Sequence, residues 1–344
     1  MDYKKLEEIL QKRGQPEFRL KQIIKAIFCD GVKSFDQITT ISKDLKRELA
    51  EELEIYPFRA KEVVISNDKR AIKALFELKD GNLIESVLIS PKPGDWSACI
   101  SSQVGCAMAC DFCATGKLGF KRNLTVDEIV SQAIFWRGYL KENDITGTYA
   151  SVVYMGMGEP FMNWENVKES IRVLTDKNLG NFSNRGLSVS TSGIVPGIEK
   201  FADTFGQVNL AISLHFASDE KRDKYMPVNK IYNLDKLKKS LDYYLSKNKR
   251  RLFIEYIMLK GINDGKEDAL ALIKYLSSIR DKKLIVVNLI KYNSIDNGFA
   301  PSTTESVQRF KELIKKSGIA CTIRKSIGED IHGACGQLAG KRRI

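Results

Sequence analysis

Histidine is nearly absent from this chain: His215 and His332 are the only two in 344 residues. Neither belongs to a pattern of paired Cys and His, so a zinc site built on such pairs has no second half. No apolar run approaches the length that spans a bilayer. No lipidation motif or juxtamembrane polybasic run replaces one. The opening Met1-Asp2-Tyr3-Lys4-Lys5-Leu6-Glu7-Glu8 is charged and amphipathic, unlike a secretory leader. A cytoplasmic location is therefore expected, and with it reduced thiols and no disulfide framework. Internal repeats and low-complexity segments are also missing. Acidic residues are the minority, with Asp+Glu 43 against Lys+Arg 55, a formal charge of +12. That excess favours an anionic partner such as RNA or DNA. The basic residues are dispersed, with local clusters at Lys117/Lys121/Arg122, Lys247/Lys249/Arg250/Arg251, Lys311/Lys315/Lys316 and Lys341/Arg342/Arg343.

Cysteine, by contrast, is concentrated. Of seven, three stand in the spacing Cys106-x-x-x-Cys110-x-x-Cys113, inside the run Cys99-Ile-Ser-Ser-Gln-Val-Gly-Cys106-Ala-Met-Ala-Cys110-Asp-Phe-Cys113-Ala-Thr-Gly116. Iron–sulfur clusters are held by cysteine thiolates, normally four. Three with no fourth in register leave one iron open, and an open position on a metal centre is where chemistry takes place. Structural zinc and inert buried thiols are the competing readings. Gly105 and Gly116 flank the loop and give its backbone the freedom to wrap a metal. Cys29 and Cys321 read as ordinary small hydrophobes.

Residues 1 to about 55 repeat apolar positions at helical steps, with Leu6, Ile9 and Leu10, then Leu20, Ile23, Ile24, Ile27 and Phe28, then Leu45 and Leu49. A hairpin is predicted around Asp80-Gly81, with Ile72, Ala74, Phe76 and Leu78 sharing one strand face. From about 95 to 300 strands and helices alternate. The candidate strands are near 97–101, then 151–155, 186–190, 208–213, 252–257 and 284–289; helices are predicted at roughly 125–141, 164–177, 196–204, 234–247 and 266–279. This pattern predicts an α/β fold with a parallel sheet and right-handed crossovers. Several strands end in glycine or polar residues: Met155-Gly156-Met157-Gly158-Glu159-Pro160, Ser190-Thr191-Ser192-Gly193, Ser213-Leu214-His215 and Asn288 to Asn293. Parallel α/β folds bind ligands beyond those strand ends. Glu159 there can accept from an ammonium group.

The cysteine spacing with a following glycine–glutamate strand end resembles the radical S-adenosylmethionine (SAM) superfamily. The closer resemblance is to the bacterial adenine-carbon-2 RNA methyltransferases that act on 23S rRNA and tRNA, whose siblings methylate carbon 8. It covers about residues 18 to 340. It rests on Cys99-Ile-Ser-Ser-Gln-Val-Gly-Cys106, Arg122-Asn-Leu-Thr125, Met155-Gly-Met-Gly-Glu-Pro160, Ser190-Thr-Ser-Gly193, Ser213-Leu-His215 and Ala334-Cys335-Gly-Gln-Leu-Ala-Gly340.

The resemblance implies a partial (β/α)6 barrel over 93–325, an N-terminal helical RNA-binding module over 1–58, a hairpin linker over 59–92 and a C-terminal segment over 326–344. It implies that Cys106, Cys110 and Cys113 hold a [4Fe–4S] cluster and that SAM chelates the fourth iron. Gly158, Glu159, Ser190, Ser213, Leu214, His215 and Asn293 match the family's SAM contacts. Cys335 matches the methyl carrier, methylated by a first SAM. A second SAM, cleaved reductively, supplies a 5′-deoxyadenosyl radical that activates that methyl group for addition to adenine. Cys99 matches the resolving thiol, which forms a disulfide with Cys335 and releases the base. Glu85 matches the proton acceptor. A flavodoxin-type reductant and a monomeric enzyme are also implied. The chemistry suits the target, because adenine carbon 2 is electron-poor and a covalent intermediate divides a hard step.

Two positions depart from the family pattern. His332 stands where Asp is usual, and Asn293-Ser294 replaces Asn-Pro. Pro160 favours the carbon-2 enzymes, while Tyr292 leans toward the carbon-8 siblings. A glycyl-radical activase and a non-enzymatic metal-containing RNA-binding protein are the remoter alternatives.

Overall fold

Apolar residues at three- and four-residue steps turn one face of each N-terminal helix inward. The computed structural model, which describes residues 3–340, begins with α1 (Tyr3–Lys12), α2 (Glu17–Ile24), which runs into a π-helical turn (Lys25–Cys29), and α3 (Lys43–Glu52). Ser42 caps α3 by accepting from Leu45 N. This module docks on the long helix α5 introduced below, where the Arg137 guanidinium donates to the Phe28 carbonyl.

Strands β1 (Phe58–Ile65), β2 (Ala71–Leu78) and β3 (Leu83–Lys92) form an antiparallel meander. The Asp80-Gly81 turn is closed by Leu78 N donating to Asn82 O at 2.8 Å. The meander is not a separate linker: β3 also pairs with β4 (Asp95–Cys99), so residues 58–92 extend the main sheet. Nor is β2 apolar on one face and wet on the other. Ile72, Ala74 and Phe76 are buried on one face, where the Phe76 ring packs against Phe58 and against Phe135 of the same long helix, while Lys73 and Leu75 are buried on the opposite face. There the chain's last segment covers them, and Lys73 Nζ reaches the His332 carbonyl at 3.5 Å.

After β4 comes a small hairpin of β5 (Gln103–Gly105) and β6 (Phe120–Asn123), with the four-residue α4 (Ala114–Lys117) between them. Then follow α5 (Val126–Glu142), β7 (Thr148–Tyr154), α6 (Trp164–Thr175), β8 (Leu187–Thr191), α7 (Val195–Thr204), β9 (Asn209–Ser213), α8 (Asp219–Tyr225), α9 (Leu234–Lys247), β10 (Leu252–Met258), α10 (Lys266–Ser277), β11 (Ile285–Lys291), α11 (Thr304–Lys316) and β12 (Ala320–Arg324). The sheet order is β1-β2-β3-β4-β7-β8-β9-β10-β11-β12, parallel from β4 onward. Six strand–helix units make the (β/α)6 barrel, and β12 adds a seventh parallel strand that carries the chain back to the mouth. Strand residues such as Val152, Val189, Leu210, Ile254 and Val287 are fully or almost fully buried, as parallel strands covered by helices require. No helix among the described residues is long and apolar enough to cross a membrane.

Candidate active site

The loop from Cys106 to Cys113 leaves the β5–β6 hairpin at the carboxyl end of the parallel strands. Its shape is fixed by backbone bonds. Cys106 N donates to Gly119 O at 2.9 Å, Cys113 N to Cys110 O at 3.2 Å and Asp111 N to Tyr225 O at 3.1 Å. Gly105 is required for the first of these: φ is +75°, and a Cβ would stand 1.8 Å from the Gly119 carbonyl oxygen. All three thiols are half-buried and free of disulfides. Burial pushes Cys106 up to about 12, with smaller contributions from the charges of Glu159 and Cys113. Cys110 is raised well above the ordinary thiol value, first by burial and then by Cys113 and Cys106. Each of these two therefore lies within electrostatic reach of another loop thiol. Among the described residues, no three His, Cys, Asp or Glu side chains converge as a single metal ion would need. Three thiols within electrostatic reach of one another suit the thiolate donor set of an iron–sulfur core, which would hold them deprotonated.

The other strand ends gather around this loop. Glu159 is 3% exposed. Its Oε2 accepts from Ser192 N at 2.7 Å and Ser192 Oγ at 2.9 Å, and its Oε1 accepts from Phe161 N at 3.1 Å. Burial raises its pKa and these bonds oppose the rise. The carboxylate thus ties the β7 and β8 loops together, leaving acceptor capacity on Oε1 for an ammonium. Gly158, at φ +103°, owes its identity to packing, because a Cβ would come within 2.5 Å of the Gln103 side chain. Ser190 Oγ and Ser213 Oγ are 3.2 Å apart on neighbouring strands. Leu214 is fully buried. His215 is buried and its Nδ1 accepts from Ile257 N at 3.1 Å. Burial first, and Arg222 second, push it down to about 3. It is therefore neutral and has only Nε2–H to offer. The Phe112 ring of the cysteine loop meets it edge-on, centroids 5.0 Å apart.

The C-terminal segment closes over the same mouth. Ala114 N donates to Gly336 O at 2.8 Å and Thr115 Oγ1 to Leu338 O at 2.7 Å. Asn293 Nδ2 donates to Cys335 O at 3.1 Å while its Oδ1 accepts from Ser326 Oγ at 2.7 Å. Asn293 thus bonds to the Cys335 loop. The Cys335 side chain is solvent-accessible. Yet it sits in a recess deep enough that desolvation raises its thiol pKa, with Arg324 opposing. Cys99 ends β4, half-buried, and burial raises its thiol far above the ordinary range, with the nearby Cys335 adding to the rise. Glu85 on β3 is buried. Its Oε1 pairs with Lys73 Nζ at 2.9 Å, and its Oε2 accepts from Ala339 N at 2.6 Å and Gly340 N at 2.9 Å. His332 adopts a left-handed conformation, φ 50°, which Asp and His enter more readily than most residues. Tyr292 is buried and bonds Asn297 through its hydroxyl.

Residues 100–273 match the model of the "Radical SAM superfamily", and residues 1–55 match "Ribosomal RNA large subunit methyltransferase N-terminal domain". The chain is 41% identical over 342 residues to a probable dual-specificity RNA methyltransferase RlmN of Chlorobium phaeobacteroides, covering 98% of this chain and 93% of that one. It is 40% identical over 344 residues to the ribosomal RNA large subunit methyltransferase Cfr of Clostridium botulinum, covering 99% and 98%. The crystal structure of a radical SAM methyltransferase from Sphaerobacter thermophilus superposes with a TM-score of 0.93 at 36% identity, over 99% of this chain and 98% of that one. The chain belongs to the RlmN/Cfr family of radical SAM RNA methyltransferases. That family works with a [4Fe–4S] cluster and SAM, two SAM molecules per turnover.

Sequence reasoning missed two charged residues beside this RlmN/Cfr-type site. Lys73 sits in an alternating strand and reads as surface, though it is the buried partner of Glu85. Arg222 lies among Asp219, Glu220, Lys221 and Asp223 and reads as part of a solvated helix, though it is fully buried. No signal in the sequence alone separates either from its exposed neighbours.

Proposed function

We propose that this enzyme methylates carbon 2 of an adenosine in large-subunit ribosomal RNA, and of an adenosine in tRNA, with Cys335 as methyl carrier. The observation supporting this reading is the placing of two thiols outside the cysteine loop at one mouth: Cys335 on the C-terminal segment and Cys99 at the end of β4, near enough that Cys335 adds to the rise of the Cys99 thiol. When bound, the cluster and SAM supply the methyl group and a one-electron route to a carbon radical. The chain's own part is positional. Cys106, Cys110 and Cys113 hold the cluster; Gly158, Glu159, Ser190, Ser213, Leu214, His215 and Asn293 surround SAM. Cys335 presents its sulfur from a loop that Asn293 orients. After the methylene joins the ring, the adduct's odd electron passes to the acceptor that the bound cluster would supply and the ring carbon gives up its proton. Cys99 then attacks the Cys335 sulfur, forming a disulfide as the sulfur–carbon bond breaks, and the freed carbon takes up a proton to become the methyl group. Glu85 receives the ring proton, beside Lys73.

The module at 1–58 and the basic C-terminal end grip the RNA by phosphate and shape contacts, and the target base is unstacked into the mouth. Lys341, Arg342 and Arg343 of that end lie outside the described residues. Of the cluster near the mouth, Arg122 pairs with Asp80 and Glu128, leaving Lys117 and Lys121 on the surface. The division at 58 and 325, a flavodoxin-type reductant, a monomer and a cytoplasmic location belong to the same reading.

A carbon-8 methyltransferase is the second reading, favoured by the full-length match to relatives named Cfr. Anaerobic purification, iron and sulfide analysis, and nucleoside mass spectrometry of treated RNA test both. The proposal expects 2-methyladenosine. Finding 8-methyladenosine supports the sibling activity, and neither product from cluster-loaded enzyme contradicts both.

A further inference from the structure

We propose that Arg222 is a resident counter-charge for the iron–sulfur cluster, set beside the cysteine loop and holding the cluster's reduction potential up. Its side chain is fully buried on α8. Its guanidinium has only neutral partners. Nη1 donates to Ser213 O at 3.3 Å, to Leu214 O at 2.5 Å and to Met226 Sδ at 3.3 Å; Nη2 donates to Ser192 O. Nε has no partner among the described residues. The carboxylates on the same helix are engaged elsewhere. Asp219 Oδ1 accepts from Asn229 Nδ2 and Leu234 N, and Asp223 Oδ1 accepts from Asn229 Nδ2. A buried cation without an ionic partner is costly.

Asp219 and Asp223 favour the Arg222 charge from a distance without bonding it, and a loaded cysteine loop adds to them. Asp111, next to Cys110, donates its N–H to Tyr225 O at 3.1 Å, one turn beyond Arg222. On the other side of Cys110's neighbour Asp111, the Phe112 ring meets His215, centroids 5.0 Å apart, and His215 follows the Leu214 carbonyl that Arg222 holds, so the loop is bracketed by elements that Arg222 ties together. Three thiolates make the loaded loop anionic, and each added electron makes it more so. A fixed positive charge nearby therefore favours the reduced cluster. The same guanidinium ties the carbonyls of Ser192, Ser213 and Leu214, so it is a positioning residue for the SAM-side loops as well.

The inference rests on Cys106, Cys110 and Cys113 being the ligands, which iron content of their alanine variants tests separately. Full iron in Cys110→Ala overturns the ligand reading and this inference with it. For Arg222 itself, EPR-monitored redox titration of reconstituted holoenzyme compares Arg222→Gln and Arg222→Lys, with iron and sulfide content measured on each sample. The expected result is a reduction equilibrium at least about tenfold less favourable in the Gln variant, a fall of about 59 mV for one electron. The Lys variant stays near wild type even if its melting temperature falls. A fully loaded Gln variant at the wild-type potential overturns the proposal. If the Gln variant fails to fold or load, the Lys variant decides: a retained potential supports the charge account, and a fall as large as that predicted for Gln contradicts it.

Discussion

Asn293 Nδ2 donates to the Cys335 carbonyl oxygen at 3.1 Å, so β11 and the C-terminal loop meet at the residue proposed to carry the methyl group. The bond fixes the loop's backbone and leaves the thiol free. Losing one such bond costs about 1 kcal/mol of stability. Misplacing a reacting group costs far more in rate, about 100-fold for roughly 1 Å. Asn293→Ala should therefore lower methyl transfer on the order of 100-fold while the urea midpoint barely moves. Equal loss of both in parallel assays would assign Asn293 a purely structural part.

Lys73 and Glu85 form a buried ion pair at 2.9 Å. Removing one member of a buried pair leaves an uncompensated charge, worth about 3–5 kcal/mol. Lys73→Met should destabilise by about that amount in urea unfolding, and the added Glu85→Gln should recover much of it. A single variant as stable as wild type would show that the pair is solvated.

Cys99 is the proposed resolving thiol, and its fate separates resolution from methylation. Cys99→Ala should stop turnover yet accumulate a covalent protein–RNA adduct, visible as a shifted band in denaturing gels. A variant that stalls with no adduct would remove Cys99 from the release step.

The sheet was legible because its signals are local. Alternation around Asp80-Gly81 and apolar runs before each polar strand end locate β2, β3 and β7–β11 within a residue or three. The strands β5 and β6 are three and four residues long, too short to show a period. Strand β12 alternates exposed and buried residues beside a basic helix, and reads as surface. The meander joined the barrel sheet, where a linker was expected, because β3 has a free edge for β4, and edge pairing is invisible to periodicity. In the site, glycine and serine at strand ends pointed to residues that the structure brings to one mouth, such as Glu159 with Ser192 and Ser190 with Ser213. Lys73 and Arg222 stayed hidden because burial of a charge depends on what other elements fold over it, as the C-terminal segment does for Lys73 and the β8 and β9 strand ends do for Arg222, not on neighbours in the chain.

Burial raises the Cys335 thiol, so less of it is thiolate at neutral pH than in an ordinary cysteine. Only the thiolate is nucleophilic. Alkylation of Cys335 by iodoacetamide in apoprotein should rise about tenfold per pH unit and reach its midpoint above the usual value of about 8.5. Peptide mass spectrometry at a series of pH values reads this directly. A midpoint at or below the ordinary one would mean that Arg324 outweighs desolvation.

RNA affinity should depend on exposed lysines of the helical module. Lys12, Lys21 and Lys25 are exposed there. Deleting residues 1–55 would remove a packed module along with its charges, so charge reversal is the cleaner probe. Changing all three to Glu should weaken RNA binding and flatten its salt dependence by up to about 0.7–0.9 per lost phosphate contact. Unchanged affinity and slope would place the grip elsewhere.

The most direct test of the account is peptide mass spectrometry of Cys335 after anaerobic incubation of loaded enzyme with SAM, before and after RNA is added. The account predicts a methyl group on Cys335 and on no other cysteine, lost as methylated adenosine forms. Methylated adenosine produced while Cys335 is never methylated, or by Cys335→Ala, would contradict it.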